Sequence, residues 1–165
     1  MSDTMTVDLE LLIFDLRDGA LACQRVYEHT LDQLDPDVSA SMLLSRFVTN
    51  LGASPPRFLL HSTSWRYAAD AGAIIITYCA MGRHVSLDPE LPASAVSDVR
   101  LVHGTAERPA PEDIPASAVA AHALRHVKSL LAGPMGPEYR PALSSAQLDA
   151  LEALGDLPGE EVAIR

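Results

Sequence analysis

The sequence predicts an α+β fold: a mainly antiparallel sheet of about five strands built from hairpins, with about three helices packed on it. Two observations carry that expectation. β-rich runs come in adjacent pairs joined by short turns, and strands do not alternate with helices as a doubly wound parallel sheet requires. At 165 residues the chain is expected to form one domain, residues 1–165, with ends frayed at 1–5 and 158–165. A chain of this size buries roughly 70% of its unfolded surface and needs no metal or disulfide staple.

The elements follow in order. Val7, Leu9, Leu11 and Ile13 alternate with polar residues at first, and Asp18-Gly19 is a favoured tight-turn pair, so "VDLELLIFDLRDGALACQRVY" reads as a hairpin returning over Ala20 to Tyr27. A helix from Ala20 to Leu34 is the competing reading, because Leu21, Val26, Leu31 and Leu34 can share a broad face. "DPDVSASMLLSRFVTNLGASPP" predicts a helix capped by Ser39 or Asp37. Met42 or Leu43, Phe47 and Leu51 form its apolar stripe, and Gly52 is the C-cap. Phe58 to Tyr67 and Ala73 to Met81 flank the short loop "AADAG" as a second hairpin. Ile74-Ile75-Ile76 places its return strand inside the sheet.

"VRLVHGT", Val99 to Thr105, predicts a further short strand, and proline-rich "ERPAPEDIP" is a connector. A helix then runs to about Ala132 and stops at Gly133-Pro134, with one face of the sheet covered by helices. "GPMGPEYRP" reads as a loop. Ser144 with Gln147 forms a capping-box pattern ahead of a stripe through Leu148, Leu151 and Leu154.

Charge limits the function classes. The net charge is −10, and an acidic surface repels phosphate backbones and anionic membranes, so no nucleic-acid or membrane partner is expected. Lys128 is the only lysine among twelve basic side chains, a bias of GC-rich, bacterial-type coding. Cys23 and Cys79 sit in apolar surroundings without CxxC spacing and are expected to be buried free thiols. "MSDTMTVD" lacks the order of a signal peptide, and no apolar run approaches the ~20 residues that span a bilayer. A cytoplasmic location is expected.

Candidate chemistry centres on "HSTSWR". Alternation along a regular strand puts His61, Thr63, Trp65 and Tyr67 on one face and Ser62, Ser64 and Arg66 on the other. The second row offers two hydroxyls and a forked guanidinium to a carboxylate or phosphate. Arg57, Arg83 and Arg100 are placed to approach it. His61 or His103 is the candidate general acid or base, with Glu107 a partner for His103. His122 and His126 stand at i and i+4 on the predicted helix, a spacing metal sites use, with His103, Glu107 or Asp113 as the third ligand. The plain alternatives are a solvated sheet face and exposed helix histidines. Asp32, Asp35 and Asp37 read as a turn.

Standard nucleotide loops, a GxSxG elbow and zinc-type cysteine pairs are missing. The expectation is therefore a non-catalytic binding or protein-interaction module, with a homodimer as one form. The alternative is an enzyme acting on a small anionic molecule through the His61–Arg66 strand. No cofactor is assigned.

Overall fold

The computed structural model describes residues 6–28, 35–49, 58–68, 71–96 and 114–154. Among these residues five strands form one sheet: β1 (Thr6–Arg17), β2 (Ala20–Glu28), β3 (Leu59–Ala68), β4 (Ala73–Met81) and the two-residue β5 (Ser94–Ala95), in the order β3-β4-β1-β2-β5. Four helices accompany them: α1 (Pro36–Leu44), α2 (Ala116–Ala132), α3 (Gly136–Tyr139) and α4 (Ser145–Ala153). The α+β reading holds, with one helix more than expected. The extra one is the single turn α3, inside "GPMGPEYRP".

Both predicted hairpins form, and no helix spans Ala20 to Glu28. Asp18 and Gly19 take φ of 54° and 80°, the left-handed pair a two-residue hairpin turn demands, so Arg17 pairs directly with Ala20. The hairpins join through β1 and β4, which run parallel. The sheet is therefore mixed. These two strands carry the densest apolar runs, and the interior of a sheet covered on both faces selects such sequences.

Coverage differs from expectation, because helices lie on both faces. Leu9, Leu11, Ile13, Tyr78 and Ala80 pack under α1 with Leu43, Leu44 and Phe47. Leu12, Phe14, Leu21, Cys23, Cys79 and Met81 pack on the opposite face with α2 and with Leu151 of α4. Asp35, not Ser39 or Asp37, caps α1: its carboxylate accepts from the Asp37 backbone N–H at 2.9 Å, and Pro36 occupies the first helical position. Ser39 is buried inside the helix, its hydroxyl without a hydrogen-bond partner. Leu51 and Gly52 lie outside the described residues, as do the expected Val99–Thr105 strand, residues 107–113 of the proline-rich connector and both chain ends.

The expected capping box forms, and its glutamine also ties α4 to the sheet end. Ser144 and Gln147 form a complete capping box, and the buried Gln147 amide also donates to Asp15 (3.1 Å) and to the Gly82 carbonyl (3.2 Å). On the other side, Gln24 clamps the loop after β4: it accepts from the Asp88 N–H at 2.8 Å and donates to the Leu91 carbonyl at 3.0 Å. Among the described residues no helix is long and apolar enough to cross a membrane.

Gly136 begins α3 directly against α2. A Cβ there would meet the Leu131 carbonyl oxygen at 2.2 Å, and a backbone oxygen cannot rotate away. Gly136→Ala is expected to destabilise the protein by about 1–3 kcal/mol, read as a lowered midpoint in urea with little change in slope.

Candidate functional site

The expected Ser62–Ser64–Arg66 row does not exist. Tyr67 pairs with Ile74 and Trp65 with Ile76, but Ser62 pairs with Tyr78 and the register slips at Thr63. One extra residue in a strand reverses the facing of everything beyond it. Ser62 therefore joins Trp65 and Tyr67 on the α1 side. Ser64 and Arg66 join His61 on the α2 side. Thr63 sits at the bulge, buried, with its hydroxyl donating to the Thr77 carbonyl at 3.3 Å.

Arg66 has a partner that sequence reasoning missed. Glu10, on the central strand, is 0% exposed. Nη1 of Arg66 donates to Oε2 at 2.6 Å and Nη2 donates to Oε1 at 3.1 Å, a bidentate fork. Arg25 on β2 adds its Nε to Oε1, and the Thr77 hydroxyl donates to Oε2 at 2.7 Å. Arg66 also reaches the hydroxyls of Thr77 (3.1 Å) and Tyr27 (3.3 Å), while the Arg25 guanidinium lies 4.6 Å over the Tyr27 ring. Four strands thus meet at one carboxylate. Burial pushes the Glu10 pKa up, but hydrogen bonds from Arg66 and Thr77 and the charges of both arginines outweigh it, so the group is held below its ordinary value. The signal was a charged residue inside the apolar run "LELLIF", which needs a counter-ion from a neighbouring strand when both faces are covered.

The remaining candidates fall in different places. Arg83 donates to the Pro141 and Leu143 carbonyls, away from this cluster. Arg57, Arg100, His103, Glu107 and Asp113 lie outside the described residues. His61 meets α2: its ring centroid is 6.0 Å from that of His126, which stands edge-on to His122 at 4.7 Å. Burial and the neighbouring His122, His61 and Arg125 push the His126 pKa down. Among the described residues no three His, Cys, Asp or Glu side chains are arranged to hold a metal ion. Cys23 and Cys79 are buried free thiols, each pushed by burial up to about 12, so neither is a ready nucleophile.

On the α1 side the geometry is open. Trp65 is 71% exposed and Tyr67 59%, on the strand at one edge of the described sheet. A shallow groove beside them is lined by Asp35, Asp37, Ser62, Ile74, Ile76 and Tyr78. Asp37 accepts from the Tyr78 hydroxyl, which fixes one carboxylate at the groove wall. The result is an aromatic and aliphatic floor with acidic residues along one side.

Replacing Glu10 by Gln leaves two largely buried guanidiniums without their counter-charge, and loss of about 3–5 kcal/mol is expected at neutral pH. Because the folded pKa is depressed, the stabilisation is complete above the ordinary glutamate value of about 4.3 and disappears as pH falls through the depressed value. Acid-unfolding curves should therefore converge for wild type and Glu10→Gln at low pH. A constant gap between them at every pH would contradict the assignment. No protein-family model matches the chain and no curated protein shows significant similarity to it, so the reading of these sites rests on their own residues.

Proposed function

We propose that the chain is a non-catalytic protein-interaction module whose docking surface is the aromatic edge of β3. The observation that carries this reading is the exposure of Trp65 and Tyr67 side by side on the strand at one edge of the described sheet. Two large aromatic rings in water are unfavourable unless something covers them. An edge strand also supplies a row of backbone donors and acceptors, which an added strand can satisfy. Asp35 and Asp37 beside the groove, together with the net charge of −10, favour an extended partner segment that carries basic and apolar residues in alternation.

A second reading, a homodimer through the same edge, is favoured by the position of β3, since antiparallel pairing of two copies satisfies both edges by symmetry. The alternative of an enzyme on a small anionic substrate has weaker support. Its anion-holding row is split by the bulge, and Arg66 already grips Glu10.

Trp65 is the only tryptophan, so its emission reports on this surface alone. A synthetic peptide alternating Arg and Val is expected to shift that emission to the blue and bind at least about fivefold more tightly than its Glu-for-Arg counterpart. Light scattering on a size-exclusion column separates the dimer reading, and Tyr67→Ser should weaken either association without lowering the melting temperature. Unchanged emission with both peptides, together with a monomer at high protein concentration, would overturn the proposal.

A further inference from the structure

A cavity of about 240 Å³ opens between β1, β2 and β5 on one side and the first turns of α2 on the other. Leu12, Cys23 and Ala120 form its floor, all buried. Pro92, Ala95, Val96 and Ala116 add apolar wall. Among the described residues its polar groups are few: the guanidinium of Arg25 and the hydroxyls of Ser94 and Ser117. An apolar lining with a small number of placed polar groups is the usual make-up of a small-molecule site.

Size and charge narrow the occupant. An apolar cavity of about 150 Å³ holds benzene, so this one has room for a ring or short chain with a polar head. The thiol of Cys23 is neutral at physiological pH, because burial pushes its pKa up to about 12, so among the described residues Arg25 is the one charged group in the lining. Its position is fixed by Nε on Glu10 and by its stack on Tyr27, and a pre-positioned fork suits a carboxylate. A phosphate dianion would leave half its charge unmatched in an apolar space.

We propose that this cavity binds a small amphipathic monocarboxylate, with its hydrocarbon part on Leu12, Cys23 and Ala120 and its carboxylate on Arg25, Ser94 and Ser117. The site lies on the α2 side of the sheet at β2 and β5 and is independent of the β3 edge.

The test is calorimetric titration of the full chain with octanoate and with benzoate, and with octanol and octylammonium as controls. Saturable binding of at least one carboxylate is expected, with both controls at least about tenfold weaker. Ser117→Trp and, separately, Ala95→Trp fill the mouth from exposed positions. Each should weaken binding at least about tenfold while the melting temperature without ligand stays within a few degrees of wild type. Having two plugs keeps the test valid if one variant folds poorly. No saturation with either carboxylate would overturn the proposal. Equal affinity for octanol would overturn the carboxylate assignment, and undiminished binding in both folded plug variants would overturn the location.

Discussion

The structure depends on one buried carboxylate. Glu10 stands in the middle of the central strand with no access to water, and taking an ionised group out of water costs several kcal/mol unless partners surround it. Those partners come from every long strand nearby: Thr77 from β4, Arg66 from β3 and Arg25 from β2. Each contact is possible only in one register. The carboxylate therefore acts as a fixed point that disfavours slippage of either hairpin against β1.

This arrangement also decides what the neighbouring residues are available to do. Arg66 looked like the anion-binding member of a hydroxyl-rich row, but its fork is closed on Glu10. Arg25 is held by Nε on the same oxygen that accepts from Nη2 of Arg66, and it borders the α2-side cavity as well. The bulge at Thr63 turns Ser62 and Trp65 the other way, toward α1, where exposed aromatic surface gathers at the sheet edge. Structural electrostatics occupy one face of β3, and the other carries the exposed Trp65 and Tyr67.

Much of the architecture was legible because local chemistry specified it. Asp18-Gly19 has few conformations open to it besides the hairpin turn, and Ser144 with Gln147 writes a capping box directly. In α2, Ala120, Leu124, Val127 and Leu131 recur at three-to-four spacing in the sequence and are all buried. What escaped was non-local. No periodicity marks β1 and β4 as parallel neighbours, and nothing in "HSTSWR" signals that Thr63 interrupts alternation. Asp35 outcompeted Ser39 as the cap because Pro36 fits the first helical position and sets the start of α1. Glu10 was visible as a charge in an apolar run. Its partners were not, since they lie 15, 56 and 67 residues away in sequence.

The most direct measurement is a double-mutant cycle in urea with Glu10→Met, Arg66→Met and the double variant. If the buried pair organises the sheet, each single change takes a charge from its bidentate partner, and the double change recovers part of the loss, with a coupling of at least about 1.5 kcal/mol. Additive losses, with coupling near zero, would mean that Arg66 is not held by Glu10 in solution. The guanidinium would then be free for a ligand, and the central claim would fail.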